Sequence, residues 1–378
     1  MIVLGKQLLY GLTVFICSYN WLFANHSKTE YNSWKLKLCK AVPQYAEGFH
    51  LSCKERKLEL TIKLTNQKPV KIELIPRDRK TSRNQLAIPI DSYASLSATH
   101  VSHLKKLNTL NKMVGFSRIQ DLTETSLLKR HEQGTLKELG MIQNLRIETI
   151  LELNPEVIFG YHFSGIENQL KNLSKTGTKI VYINEYLESS PLAYAEWIKL
   201  FGILFDKAEL ANAGFNKIRD EYLKLSAMAT REVTKPSVLV NIPYGSTWFV
   251  PAGDNFMAHL IRDAGGRYIF ANTTGNFNLK LSLEAVIESG LKADYWLNPG
   301  QHTHKSSLLK EDSRFALFKA YETGHIFNNT KAELEQRTND YFSRGLSNPQ
   351  LLLADLVKIL HPHLLADHEL EWFHSLRD

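Results

Sequence analysis

The chain has only three cysteines among its 378 residues and none of the common catalytic signatures. It contains no CxxC pair and no zinc-type spacing of Cys and His. The HExxH, GxSxG, P-loop and Rossmann glycine motifs are also missing. The sequence therefore gives no support for the enzyme classes that these motifs mark.

Charge of one sign is not concentrated in any segment. The net charge is +7 at pH 7, but Lys and Arg are interleaved with Glu along most of the chain. A nucleic-acid-binding protein is expected to carry a basic stripe with aromatic residues between its charges. We therefore predict that nucleic acid is not a partner.

The first apolar run is too short for a membrane span. It covers Leu8 to Ile16 after Lys6, whereas a spanning helix needs about 20 apolar residues. This length suits a secretory signal, so we expect residues 1–24 to be a signal or lipoprotein segment and the protein to reach the periplasm or cell envelope. Two processing routes stay open, namely a lipid anchor at Cys17 or cleavage after Ala24. A buried N-terminal helix of a cytosolic protein is the remaining alternative.

The other two cysteines, Cys39 and Cys53, lie close together in sequence. In an oxidising compartment they are candidates for a structural disulfide around a short loop. Two unpaired buried thiols are the alternative.

One long amphipathic helix is predicted over 206–230. Its apolar residues recur at alternating spacings of four and three, which lines one stripe of an α-helix. They are Ala211, Phe215, Ile218, Tyr222, Leu225 and Ala229. We expect Asp206 to cap the helix, with Glu209 completing a capping box. Only Gly214 interrupts the pattern, so the helix should bend little and leave a largely preformed cleft between the halves that it joins.

Each side of this helix carries an alternation of short strands and amphipathic helices. In the first half the strands are predicted at Ala94–Ala98, Lys112–Phe116, Val157–Gly160 and Ile180–Ile183. Such alternation predicts parallel strands with right-handed crossovers. Residues 25–85 instead alternate in a β manner and predict a small antiparallel layer.

The predicted fold class is therefore α/β, with two three-layer α/β lobes of mainly parallel sheets, one long joining helix and a small N-terminal β-rich extension. The predicted boundaries are 25–85 for the extension, 86–205 for the N-terminal lobe, 206–230 for the helix and 235–378 for the C-terminal lobe.

Parallel sheets bind ligands beyond the carboxyl ends of their strands. The loops at those ends are rich in aromatic, imidazole and hydroxyl groups, which suit a large, partly apolar ligand that carries a metal. We predict ligand contacts from Thr99, His100, Arg118, Tyr161, His162, Tyr244, Trp248, His302 and His304. Further polar and aromatic candidates in these loops are Ser117, Phe163, Ser246, Thr247, Gln301, Asn328 and Asn329. The segment Asn339 to Gly345 either lines the same cleft or caps the last helices.

The two halves share one local sequence pattern, which predicts a short helix with Glu near its start, a break and then a strand. It reads RIETILELNPEVI in the first half and LSLEAVIESGLKADYW in the second, and it places Glu148 and Glu284 at equivalent positions. These two segments, together with GSTWFVPAGDNFMAHLIRDAGG, resemble sequences of the substrate-binding proteins of bacterial ABC importers for iron chelates and vitamin B12. The resemblance covers about Pro89 to Pro362.

The resemblance implies that a ligand sits between two lobes joined by a rigid helix. It also implies that Glu148 and Glu284 dock on arginines of the permease subunits. No intrinsic cofactor is expected, and the cargo should be an iron siderophore, haem or cobalamin. The cobalamin binders carry Trp ahead of each docking helix. In this chain, the segment before the helix of Glu284 has only Phe277, and the segment before the helix of Glu148 has no aromatic residue. This favours an iron chelate or haem.

Two other function classes remain open on the sequence. In a metal-dependent enzyme, His100, His302, His304 and Asp254 would hold a catalytic ion. In a direct Zn or Mn carrier, the cleft histidines would bind the bare ion.

Overall fold

The computed structural model describes residues 31–54, 57–79, 81–82, 84–163, 167–334 and 338–377. The predicted signal segment and Cys17 lie outside these ranges. Within them, no helix combines the length and the apolar character that crossing a bilayer requires.

The N-terminal extension consists of a helix followed by a four-stranded sheet. The helix, α1, spans residues 31–39. The sheet has the order β1-β2-β3-β4, with β1 (Phe49–Lys54), β2 (Lys57–Ile62), β3 (Val70–Pro76) and β4 (Gln85–Ile88). The first three strands are antiparallel, but β4 runs parallel to β3. The expectation of a small antiparallel layer over 25–85 is confirmed for β1 to β3. It missed the helix α1, and it missed β4, which begins at the predicted boundary and runs parallel to β3.

The extension packs into the core of the N-terminal lobe. Alternate residues Leu58, Leu60 and Ile62 of β2 are fully buried and belong to the same apolar cluster as Phe116 and Phe201 of the lobe. The Sγ atoms of Cys39 and Cys53 are joined in a disulfide, which connects the end of α1 to β1.

Two carboxylates of the lobe also bind the backbone of the extension. Glu196 Oε2 accepts hydrogen bonds from the N–H groups of Tyr45 and Ala46, at 2.6 and 2.8 Å. Glu188 Oε1 accepts from the N–H of Gly48 at 2.9 Å. Because a buried N–H without a partner is costly, these bonds fix the turn that leads into β1.

The N-terminal lobe is built on a parallel sheet in the order β7-β6-β5-β8-β9, and every strand pair in it is parallel. Its elements are β5 (Tyr93–Ser95), α2 (Thr99–Lys106), β6 (Met113–Phe116), α3 (Thr125–Glu132), β7 (Lys137–Glu138), α4 (Ile147–Leu153), β8 (Val157–Gly160), α5 (Glu167–Lys175) and β9 (Lys179–Tyr182). The sheet places the ends of β5, β6, β8 and β9 along one edge.

The lobes are joined through α6 (Pro191–Glu196), α7 (Ile198–Leu204) and the long helix α8 (Ala208–Ala229). The predicted stripe of α8 is buried except for Leu225, which is partly buried. Packing of α8 on α7 is close, since a Cβ at Gly202 would lie 2.4 Å from Cβ of Ala211. The helix also packs on the C-terminal helix of the chain, so its two ends are held by different lobes.

The predicted cap of α8 was wrong. The N-cap residue is Lys207, and no side chain caps the helix there. Asp206 has a positive φ of 54° and lies 3.5 Å from Lys37 Nζ. Its left-handed backbone makes the turn out of α7, which removes it from the cap position.

The C-terminal lobe contains a five-stranded sheet in the order β13-β10-β15-β16-β17, in which only β17 is antiparallel to its neighbour. A second, antiparallel sheet has the order β11-β12-β14. The elements are β10 (Ser237–Val240), β11 (Pro243–Tyr244), β12 (Thr247–Pro251), α9 (Phe256–Asp263), β13 (Arg267–Tyr268), β14 (Asn278–Ser282), α10 (Leu283–Gly290), β15 (Tyr295–Leu297), α11 (Lys305–Glu311), α12 (Lys319–Glu322), β16 (Ile326–Asn328), a π-helical turn (Tyr341–Gly345), α13 (Pro349–Leu360) and β17 (His374–Ser375).

Candidate functional site

A cavity of about 430 Å³ lies between the two lobes. Its N-terminal wall consists of the segments that follow β5, β6 and β8, as the strand-end rule predicts. Its other wall comes from the segment around the π-helical turn of the C-terminal lobe. The lining residues are Leu96, Ser97, Ala98, Thr99, Ser117, Arg118, Gln120, Asp121, Tyr161, Thr338, Asn339, Phe342 and Ser343. We call this space the inter-lobe cavity.

Arg118 supplies the cationic group of the inter-lobe cavity. Its Nε donates to Asp121 Oδ2 at 2.8 Å and its Nη2 to Asp121 Oδ1 at 2.5 Å. The pKa of Arg118 is raised, first by this hydrogen bond to Asp121. Both side chains stay partly exposed, at 39 and 33%, so the guanidinium can also reach an anionic ligand.

Aromatic rings lie on both walls of the cavity. Tyr161 stands on the N-terminal wall, and its ring makes an edge contact with Tyr186, with the centroids 6.5 Å apart. Phe342 faces the cavity from the π-helical turn and is 53% exposed. A flat ligand would thus meet an aromatic surface from each lobe.

Hydrogen bonds fix the wall from the C-terminal lobe. The side-chain amide of Asn339 donates to the carbonyl of Asn329, just after β16, at 2.9 Å. The hydroxyl of Thr338 donates across the lobes to the carbonyl of Gln120 at 2.5 Å. Asn339 to Gly345 therefore includes cavity-lining residues, which decides between the two roles considered for this segment.

Several of the predicted contact residues are buried in the core instead. His100 is 0% exposed, and its Nδ1 bonds to the hydroxyl of Ser95 at 2.9 Å. Burial lowers the pKa of His100 to about 3, so its imidazole is neutral. Trp248 is also 0% exposed and donates from Nε1 to the carbonyl of Val240 at 3.1 Å. Neither side chain reaches the inter-lobe cavity, so for these two the prediction of a cleft-facing side chain was wrong.

His162 is 5% exposed, and its backbone binds Asn184 and Tyr186. Tyr244, at the turn of the β11–β12 hairpin, is 85% exposed. Both residues lie outside the lining of the inter-lobe cavity.

His302 and His304 make hydrogen bonds to residues that are close to them in sequence. His302 Nδ1 bonds to Ser307 Oγ at 2.8 Å, and His304 Nδ1 bonds to Thr303 Oγ1 at 3.0 Å. Asp254 accepts from the N–H of Gly275 at 2.8 Å, while His100 lies in the core of the other lobe. The four residues of the metal-enzyme alternative thus do not converge, and within the described ranges no group of three or more His, Cys, Asp and Glu is arranged to hold a metal ion.

Some residues in the wall of the inter-lobe cavity, and some directly behind it, were not predicted from the sequence. Tyr186 and Glu185 lie behind the lining, where Tyr186 contacts Tyr161 and Glu185 bonds to Thr99. Both follow β9, so the strand-end rule that selected Tyr161 would also have selected them. Ser97 precedes Thr99 in the loop after β5. Phe342 belongs to the segment Asn339 to Gly345, which the sequence offered as a possible lining of the cleft. Its individual contact could not be predicted, because only tertiary packing brings its ring to the cavity.

The two predicted docking residues occupy the same local position in the two lobes. Glu148 is the second residue of α4 and Glu284 is the second residue of α10. Both are exposed. A carboxylate in the first helical turn is favoured by the helix dipole. The two differ in their neighbours, since Glu284 Oε1 lies 3.4 Å from Nη1 of Arg314.

Comparison of the sequence with known proteins gives one family. A profile described as periplasmic binding protein matches residues 94–332. An uncharacterised lipoprotein of Methanocaldococcus jannaschii is 25% identical over 295 residues, which cover 76% of this chain and 69% of that protein. A second uncharacterised protein of the same organism is 25% identical over 248 residues, covering 64% of this chain and 72% of its own length.

Solved structures share the fold at low sequence identity. A periplasmic binding protein of Veillonella parvula has a TM-score of 0.61 at 13% identity, covering 81% of this chain and 98% of that one. A periplasmic haem binding protein of Pseudomonas aeruginosa has a TM-score of 0.57 at 18% identity, covering 76% of this chain and 99% of that one. A possible iron-binding periplasmic protein of Staphylococcus epidermidis has a TM-score of 0.58 at 17% identity, covering 72 and 100%. The predicted α/β fold with mainly parallel sheets is confirmed.

Proposed function

The chain belongs to the periplasmic binding protein family, and we propose that it captures a metal chelate in the inter-lobe cavity and delivers it to the permease of an ABC importer. Family membership confirms the prediction of a substrate-binding protein of the ABC-importer type rather than an enzyme. The identity of the ligand and the delivery step are the proposal.

The observation that carries this proposal is the composition of the inter-lobe cavity. One guanidinium (Arg118), several hydroxyl groups and two aromatic side chains (Tyr161 and Phe342) face the same space. Its volume of about 430 Å³ lies in the range of about 300–1,000 Å³ that is typical of small-molecule sites. Such a lining matches a ligand with anionic oxygens on its rim and flat rings on its faces.

The positions of the histidines favour a chelate over a bare ion. His302 bonds to Ser307 of α11 and His304 to the adjacent Thr303, and His100 is buried in the core of the N-terminal lobe. A ligand that brings its own metal donors does not need these imidazoles. Solved relatives described as haem-binding and iron-binding support this ligand class, and we therefore propose haem or a ferric siderophore ahead of cobalamin.

Delivery would use Glu148 and Glu284, whose equivalent helix positions support paired docking on a permease with two similar halves. Export to the cell envelope is supported by the relative described as a lipoprotein. We propose Cys17 as the lipid anchor on the same ground.

The test is a binding titration of the purified protein with haem, a ferric tricatecholate, a ferric hydroxamate and cobalamin, followed by isothermal calorimetry and tryptophan fluorescence. We expect one of the iron chelates to bind in a one-to-one complex. Tight stoichiometric binding of Zn²⁺ without binding of any chelate would contradict the proposal.

The role of Arg118 is tested in the same assay. Arg118→Ala should weaken binding of an anionic chelate by about tenfold or more, the equivalent of about 1.4 kcal/mol. Because this change also leaves Asp121 without its partner, Arg118→Ala/Asp121→Ala separates the lost attraction from the added repulsion. Arg219→Ala is the matched control, since Arg219 pairs with Asp220 on α8 away from the cavity.

A further inference from the structure

A chain of hydroxyl groups leads from the wall of the inter-lobe cavity into the protein. Ser97 and Thr99 both line the cavity, and their Oγ atoms lie 2.9 Å apart, so that either can donate. The N–H of Thr99 donates to Ser97 Oγ at 3.3 Å. Thr99 Oγ1 in turn bonds to Glu185 Oε1. The chain therefore ends on a carboxyl group that the cavity does not expose.

Glu185 is buried although it carries an ionisable group. It is 2% exposed, and within the described ranges its Oε2 has no hydrogen-bond partner. Burial raises the pKa of Glu185 to about 7. The titratable groups around it are His100 of α2, Tyr194 of α6, and Tyr186 and Glu188 of its own loop. None of these places a cation beside the carboxyl group.

The hydrogen bonds of Ser95 fix the tautomer of His100. The hydroxyl of Ser95 has one proton, and it donates that proton to the carbonyl of Ser97 at 3.2 Å. It must therefore accept from His100 Nδ1, which lies 2.9 Å away. In the neutral imidazole, Nε2 then carries a lone pair, and this atom lies 4.0 Å from Glu185 Oε1. A lone pair in that place disfavours a negative charge on Glu185 and favours a bound proton.

We propose that Glu185 is a positioning residue whose bound proton sets the direction of the Ser97–Thr99 hydroxyl chain, so that capture of an anionic chelate is coupled to proton uptake. This inference rests on the proposed function, because it concerns the same cavity. Glu185 does not touch the ligand and acts through Thr99 and Ser97.

The two protonation states present different groups to the ligand. When Glu185 is ionised, Thr99 donates to the carboxylate and Ser97 donates to Thr99, so both hydroxyl protons point away from the cavity. When Glu185 is protonated, its O–H donates to Thr99. The side chain of Tyr194 also hydrogen-bonds to Thr99; with Tyr194 as a second donor, the Thr99 proton turns to Ser97 and the chain reverses. Ser97 can then donate its proton into the cavity, where it binds an oxygen anion of the chelate.

The proton on Glu185 can be measured without any ligand. Infrared difference spectra between the wild type and Glu185→Gln, recorded from pH 5 to 9, should contain a protonated carboxyl band that disappears on titration near neutral pH. Glu132→Gln, at an exposed carboxyl of α3, is the matched control for the removal of one carboxyl group. Loss of the Glu185 band already below pH 5 would overturn the inference.

The coupling is measured with haem and a ferric tricatecholate as probes. Wild-type affinity should fall by about tenfold per pH unit above pH 7, with uptake of about one proton at pH 8, as linkage requires for one site. Calorimetry in buffers of different ionisation enthalpy measures that uptake. In Glu185→Gln the amide N–H can donate to Thr99 as the protonated acid does, so the affinity should no longer depend on pH.

Thr99→Val interrupts the chain but leaves Glu185 in place. It should keep the infrared band and lose the proton uptake on binding, a combination that a purely structural role of Thr99 would not produce. A wild-type affinity that does not change with pH while the infrared band titrates would overturn the coupling alone. Failure of every chelate to bind would overturn the proposed function and the coupling, whereas the infrared titration would still decide whether Glu185 holds the proton.

Discussion

Nζ of Lys106, on α2 of the N-terminal lobe, donates a hydrogen bond of 2.9 Å to the backbone carbonyl of Ser347 in the C-terminal lobe. The hydroxyl of Ser347 also donates to Ser102 of α2 at 2.6 Å. Nearby, Thr123 donates to Asp340 at 2.9 Å. These contacts hold the lobes together on one side of the inter-lobe cavity.

Lys106 should make the free energy of unfolding depend on pH in the alkaline range. Burial lowers its pKa to about 7 from an ordinary value of 10.5. The folded state therefore binds its proton more weakly than the unfolded state, and the free energy of unfolding should rise between pH 7 and 10.5 with a slope of up to about 1.4 kcal/mol per pH unit. Urea unfolding at pH 7.5 and 9.5 measures the slope.

Lys106→Met should remove this slope and be at least as stable as the wild type at pH 7.5, because folding no longer has to remove a proton from a buried lysine. Lys129→Met, at an exposed position of α3, should retain the slope. An equal slope in wild type and Lys106→Met would contradict the assignment.

Substitutions of Phe342 and Trp248 should have different effects, the first on ligand affinity and the second on the free energy of unfolding. Phe342 is half exposed at the inter-lobe cavity, so Phe342→Ala should weaken chelate binding about tenfold through lost apolar contact and change the unfolding free energy little. Trp248 lies in the core of the C-terminal lobe, so Trp248→Phe should lower the unfolding free energy by about 1–3 kcal/mol without weakening binding. Calorimetry and urea unfolding measure the two effects. A weakened affinity in Trp248→Phe with the fold intact would restore Trp248 as a ligand contact.

Docking should depend on the positions of two carboxylates rather than on overall charge. Glu148→Lys/Glu284→Lys is expected to bind the chelate as the wild type does and to abolish uptake in reconstituted importer vesicles. The matched control is Glu152→Lys/Glu288→Lys, which makes the same charge change at exposed positions of the same helices α4 and α10. Equal uptake by the two double variants would show that the helix starts are not the docking points.

Glu185 should also make the free energy of unfolding depend on pH. This free energy should fall as the pH rises, whereas a carboxylate with a lowered pKa makes it increase. Its pKa is raised from 4.5 to about 7 by burial, so its stabilising contribution is complete below pH 4.5 and is lost as the pH rises through 7. The loss amounts to about 3 kcal/mol at most. The difference in unfolding free energy between Glu185→Gln and the wild type should therefore increase from pH 5 to pH 8. A difference that is constant over this range would mean that Glu185 does not titrate there.

The periodic parts of the sequence predicted the fold well. The strand Val157–Gly160 has the predicted bounds, and the apolar stripe of α8 is buried as its spacing requires. The extension was less predictable, since alternation indicates strands but does not show which neighbour each strand pairs with. Only the structure shows that β4 runs parallel to β3.

The site was predictable to the level of a loop but not to the level of a side chain. Thr99 and His100 are neighbours on a helix, where successive side chains point about 100° apart, so only Thr99 faces the cavity. On β12, Thr247 and Trp248 point to opposite faces, and Trp248 is the one that enters the core. The strand-end rule identifies the loop that borders the cavity. It cannot identify which side chain of that loop faces the cavity, because this depends on how the lobe packs.

The restraint of the lobes at two places, by α8 and by the contacts of Lys106 and Ser347, has a kinetic consequence. A cavity that is shaped before the ligand arrives does not require a minor conformer to be populated first, so no fraction of the affinity is lost to that equilibrium. Association should then proceed at similar rates for chelates of similar size and charge, and their affinities should differ mainly in residence time. Selection among chelates would therefore take place at the moment of release.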